Sequence, residues 1–104
     1  MLTTVTFRIE FTEDATQQAE VAATWWRANR PSAPELFDDE LAYALDLLTK
    51  MSPLSQVWGE VEGAPVRKVR LPRTQYALYF TLVGNLVTVH ALWHGARGSG
   101  PPRP

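Results

Sequence analysis

The chain has 104 residues, 45% of them hydrophobic, and a formal net charge of −1, enough for one domain that buries roughly 65% of the surface its unfolded chain exposes. Cysteine is absent, which excludes disulfides and thiolate metal sites, and two histidines alone do not complete a metal centre, so neither metal nor cofactor is expected. The most apolar stretch, residues 78–93, is broken by Thr81, Gly84, Asn85, Thr88 and His90, which excludes a membrane span of about 20 continuous apolar residues.

The small net charge conceals a division. Residues 1–62 hold all 11 acids and four bases, a balance of −7, whereas residues 63–104 hold six bases and no acid. A basic half faces phosphate or an acidic partner in many proteins. The plainer reading is that acids suit helices and are depleted from strands. With no cysteine and no basic-then-apolar leader, a cytoplasmic location is expected.

The first element, LTTVTFRIEF, alternates Val5, Phe7, Ile9 and Phe11 against Thr4, Thr6, Arg8 and Glu10, the period of a half-buried strand. Thr12 follows as an N-cap, with Glu13 and Asp14 in the first helical turn, where the helix dipole favours negative charge. Ala15, Ala19, Ala22 and Trp26 recur at helical spacing up to Pro31. Ser32 and Glu35 have the spacing of a capping box, and Phe37, Leu41, Ala44, Leu48 and Met51 continue a second helix. The two form a helical hairpin.

Residues 52–64 lack a sustained period and contain Pro53, Gly59 and Gly63, so they read as a surface connection. After them VRKVRLP is a basic strand, TQYALYFTLV a second strand, Gly84-Asn85 a hairpin loop and LVTVHALWH a third strand. In strict alternation His90 and His94 share a face with Leu86, Thr88 and Leu92, opposite Val87, Val89, Ala91 and Trp93. Tyr76 and Tyr79 point to opposite faces of their strand. GSGPPRP reads as a flexible tail. The expected fold is α+β, in the order β-α-α-β-β-β. A helical hairpin packs on a curved, mostly antiparallel four-stranded sheet over residues 1–98, with a tail at 99–104. The position of the first strand in that sheet is left open by periodicity.

VRKVRLPRTQYALYF, followed after the Gly-Asn turn by VTVHALWHGARG, resembles the RelE/ParE superfamily of bacterial type II toxin–antitoxin toxins. YALYF and the terminal WHGAR look closest to the ParE-like, plasmid-stabilisation branch. The resemblance implies a growth-inhibitory toxin, neutralised by an antitoxin that wraps around it. ParE-like members block DNA gyrase, whereas RelE-like members cut mRNA on the ribosome. A non-toxic nucleic-acid-binding module, or a decayed toxin, is the third reading.

Metal-free RNA cleavage needs proton transfer to and from oxygen and cations beside the phosphate. His94 supplies an imidazole for the first task, and Arg67 and Arg70 are its candidate catalytic companions. For target or phosphate binding the candidates are Arg67, Lys68, Arg70, Arg73, Tyr76 and Arg97, since guanidinium grips phosphate through paired hydrogen bonds. Trp25, Tyr43 and Arg97 are the candidate antitoxin contacts. Trp25 lies about 100° around its helix from the core residue Trp26, Tyr43 sits off the main apolar stripe, and Arg97 suits acidic groups as well as phosphate.

Overall fold

A computed structural model of the chain describes residues 7–51, 56–61 and 63–95. Its elements are β1 (Arg8–Phe11), α1 (Glu13–Asn29), α2 (Leu36–Met51), β2 (Gln56–Val61), β3 (Ala64–Leu71), β4 (Tyr76–Val83) and β5 (Leu86–His94). They make an α+β fold with one mixed sheet in the order β1-β5-β4-β3-β2. β1 runs parallel to β5, and the other neighbours are antiparallel. The first strand thus lies at an edge, bonded through Arg8 N–H to Asn85 O (2.8 Å) and Thr12 N–H to Val89 O (3.0 Å). Among the described residues no helix is long and apolar enough to cross a membrane.

The expected β-α-α-β-β-β elements are all present, and residues 52–64 add one more. β2, within the stretch read as a surface connection, pairs antiparallel with β3 and widens the sheet to five strands. Its alternation is broken by a register shift between Val57 and Gly59. A bulge of this kind inserts a residue and reverses the facing of every residue after it, which erases the period-2 signal.

Thr12 marks the change from strand to helix: its Oγ1 accepts from Ala15 N–H at 3.1 Å, with Glu13 and Asp14 in the first turn. The second helix begins later than its capping box implies. Residues 31–35 form turns instead, held by Trp26 Nε1 donating to Ala33 O at 2.8 Å. That bond fastens the interhelical connection to a buried indole and draws Ala33 away from a helical path.

The helices cover one sheet face. Ala15, Ala22 and Trp26 of α1 and Phe37, Ala44 and Leu48 of α2 meet Leu71, Leu78, Phe80, Val87, Val89 and Leu92. Leu78, Phe80, Val87 and Val89 are fully buried, and each such side chain stabilises the fold by roughly 1.5–3 kcal/mol. α1 lies along β5, where Gln18 Oε1 accepts from Leu92 N–H at 2.8 Å. α2 crosses the sheet obliquely. Glu40 near its start holds the β3–β4 turn, and Thr49 near its end accepts through its carbonyl from Phe7 N–H at 3.4 Å. The opposite sheet face carries a smaller buried set, Val66, Ala77, Tyr79 and Ala91, with Trp93 packed against it.

Candidate functional site

The basic residues are distributed by strand alternation. On β3, Val69 and Leu71 pack under the helices, so Arg67 shares that face, whereas Val66, Lys68 and Arg70 lie on the open face. Register then sets two rows across the open face: Arg70, Ala77 and Trp93, and beside it Lys68, Tyr79 and Ala91. The Lys68 ammonium stands 5.8 Å from the centre of the Tyr79 ring, within range of a cation–π contact. Small Ala77 stands between Arg70 and Trp93 in the first row. Neither Lys68 nor Arg70 makes an ion pair with another described residue. Two adjacent cations bordered by aromatic rings suit an anionic ligand, whether phosphate or carboxylate.

His94 lies elsewhere. The pairing of β4 with β5 shifts between Tyr79 and Phe80, whose partners are Ala91 and Val89, so His90 is the extra residue of a bulge. Beyond it the facing reverses. Leu92 joins Val87 and Val89 under the helices, and Ala91 and Trp93 turn to the open face. The two histidines, expected on one face, are therefore separated. His94 meets Tyr76 edge-on with ring centres 5.0 Å apart, and Tyr76 meets Phe37 in the same way at 5.0 Å. His94, Tyr76, Asp14 and Gln17 line a cleft of about 300 Å³ between α1 and the end of β5.

His90 reaches Thr81 Oγ1 through Nε2 at 2.9 Å. Burial lowers its pKa from the ordinary 6.5, because the charged imidazolium loses hydration there.

Of the three residues assigned to catalysis, the structure brings no pair together. Arg70 is on the open face and His94 on the helix face. Arg67 shares the helix face but is paired to Phe80, four residues along β4 from the Tyr76 that faces His94. At 3.3 Å per residue and 4.8 Å per strand the two backbones are roughly 16 Å apart. Among the binding candidates only Lys68 and Arg70 share the open face of the sheet; Tyr76 is packed with Phe37, and Arg73 is in the β3–β4 turn. Arg97 and the tail at 99–104 lie outside the described residues.

Trp25 and Tyr43, the two described antitoxin candidates, are 45% and 66% exposed. They stand on different surfaces. Trp25 lies under the Arg30 guanidinium, 5.3 Å from its ring centre, and beside Trp26. Tyr43 lines a groove between α2 and β3.

One organising residue has no sequence signal. The Glu40 carboxylate accepts from Arg73 N–H (2.7 Å), Thr74 N–H (2.9 Å) and the Thr74 hydroxyl (2.6 Å). This clamp fixes the four-residue turn between β3 and β4, in which Gln75 takes φ 67° and accepts through its carbonyl from Gly95 N–H at 2.7 Å. The ends of β3, β4 and β5 are thereby locked together. Its partners are 33 and 34 residues away, beyond the reach of any local pattern.

Neither a protein-family model nor a curated protein matches the chain. Among solved structures, a chain titled "Chromosomal ParDE TA system from P. aeruginosa" superposes with a TM-score of 0.69 at 14% identity, covering 86% of this chain and 96% of that one. A chain of the E. coli DinJ-YafQ toxin-antitoxin complex superposes with a TM-score of 0.61 at 16% identity, covering 92% and 100% respectively. The chain therefore has the RelE/ParE-like toxin fold, and the likeness is one of architecture.

Proposed function

We propose that the chain is the toxin of a two-protein toxin–antitoxin pair and that it acts by binding, in the ParE-like manner, with DNA gyrase as the target implied by the sequence resemblance. A partner protein neutralises it. The fold likeness to ParDE and DinJ-YafQ supports the toxin reading. The separation of His94 from Lys68 and Arg70 on opposite sheet faces carries the preference for binding over catalysis, since a transferred proton and a stabilised phosphate must share one site.

The experiment is inducible expression in a bacterial host, alone and with the neighbouring reading frame, with separate readouts of mRNA integrity and of cleaved, stabilised DNA. Growth arrest with intact mRNA and accumulated DNA cleavage is expected, relieved by the neighbour, and His94→Ala keeps the toxicity. Ribosome-dependent mRNA cleavage that disappears in His94→Ala would overturn the binding mechanism in favour of a nuclease. That alternative draws on the cleft lined by His94, Tyr76 and Asp14. Harmless expression points to a nucleic-acid-binding module without toxicity.

A further inference from the structure

β1 pairs with β5 only as far as Val89. Beyond it, no described strand borders that edge of β5. α1 takes the place of a strand there, and its Asp14, Gln17, Gln18 and Val21, at helical spacing, line the cleft together with Leu92 and His94.

Two hydrogen bonds fix the direction of the β5 backbone at this edge. Gly95 N–H donates to Gln75 O at 2.7 Å, so residue 95 faces β4. Leu92 N–H donates to Gln18 Oε1 at 2.8 Å, so residue 92 faces α1. In an extended strand the N–H and C=O of one residue lie on the same side and successive residues alternate. Leu92 C=O and His94 N–H are therefore both directed at the cleft. Leu92 is 3% exposed, and among the described residues no donor reaches its carbonyl. A shielded backbone acceptor of this kind calls for a partner.

The surroundings say what that partner is. Gln18 already holds Leu92 N–H, where an added strand would have to run, so the cleft admits a compact ligand and not a peptide strand. Its volume of about 300 Å³ is at the small end for ligand sites, enough for one ring system. A carbonyl and, two residues on, an N–H set an acceptor beside a donor. Adenine and cytosine carry the matching pair, an exocyclic amine next to a ring nitrogen, and the amine is a donor that carbonyl oxygens take. The rings of Tyr76 and His94, with Val21 and Ala22, line the rest and suit a flat heterocycle. No Lys or Arg is among the lining residues, whereas Asp14 is, with Glu13 beside it in the first turn of α1, so a phosphate gains nothing there.

We propose that the cleft between α1 and the end of β5 is a small-molecule site for an aminated nucleobase, free or as its nucleoside, held by Leu92 C=O and His94 N–H. The site is separate from the open face of the sheet and stands whether or not the chain acts as a toxin.

The test titrates the full chain with adenosine and with cytidine, followed by heteronuclear NMR and calorimetry. At least one of them binds with a Kd below about 1 mM, and the largest shifts fall on the His94 amide, the Leu92 carbonyl and the side-chain amides of Gln17 and Gln18. Purine riboside, which lacks the amine, binds at least about tenfold more weakly than adenosine, the cost of leaving the Leu92 acceptor unpaired. AMP binds no more tightly than adenosine. Gln17→Trp fills the cleft from its exposed side and weakens binding by at least about tenfold, while Tyr43→Ala, on another surface, stays within about twofold of the parent.

Absence of any shift from either nucleoside at about 5 mM leaves the Leu92 carbonyl to water alone and overturns the proposal. Shifts confined to Lys68, Tyr79 and Trp93 place the ligand on the open face and overturn it as well. Equal affinity for adenosine and purine riboside refutes the pairing with the carbonyl. Circular dichroism checks Gln17→Trp; if that variant is unfolded, the shift map of the parent chain decides.

Discussion

Replacing Glu40 tests whether a single carboxylate holds three strand ends in place. Glu40→Ala deletes the acceptor for Arg73 N–H, Thr74 N–H and the Thr74 hydroxyl. The Arg73 N–H is exposed and turns to water, so its loss contributes little. Thr74 is 1% exposed, and two of its donors are stranded away from solvent at about 1–3 kcal/mol each. The sum is about 3 kcal/mol, which at roughly 4–8 °C per kcal/mol for a domain near this size lowers Tm by about 12–24 °C. Glu40→Gln keeps an acceptor oxygen but gives up the charge assistance, for a loss of about 1 kcal/mol. Thermal melts followed by circular dichroism measure both. A double-mutant cycle with Thr74→Val isolates the pair, with an expected coupling of about 1–2 kcal/mol. A Glu40→Ala melt within about 3 °C of the parent, or strict additivity with Thr74→Val, would refute the clamp.

Three further outcomes are expected. Because burial depresses the His90 pKa below 6.5, the unfolded chain binds that proton more readily. The contribution is therefore whole above about pH 6.5 and is lost as pH falls through the folded-state value; His90→Gln flattens the dependence of Tm on pH over that window. Trp26→Phe removes the indole donor to the Ala33 carbonyl and lowers stability by about 1–2 kcal/mol in urea unfolding, with the loss traced to the connection between the helices. Lys68→Glu with Arg70→Glu abolishes growth arrest while leaving Tm within about 3 °C, because both side chains lie on the open face without an ion pair to another described residue.

The features legible in the residues were those that depend on near neighbours. The Thr12 cap, the alternation of Phe7, Ile9 and Phe11, the Gly84-Asn85 turn and the buried stripes of both helices are each decided within a few positions. The bulges were not legible. An inserted residue just before Gly59 or at His90 has no compositional mark, yet it reverses every later side chain, and so His94 left the face assigned to it. The splitting of the cations, by contrast, was legible from strand alternation, which puts Lys68 and Arg70 on one face and Arg67 with Val69 and Leu71 on the other. A run such as Arg67, Lys68, Val69, Arg70 is basic in composition, while in a strand it is divided between two surfaces by geometry alone.

The parallel pairing of β1 with β5 also bears on when this protein becomes a protein. Thr12 and His90 are 78 positions apart, so the N-terminal strand waits without its neighbour until β5 has been synthesised. Contacts of such long range are slow to close, because chain entropy must be given up before they return anything. On the proposed function, the sheet that carries the open-face cations is incomplete until synthesis is nearly over, and a neutralising partner made at the same time has the whole of that interval in which to be present.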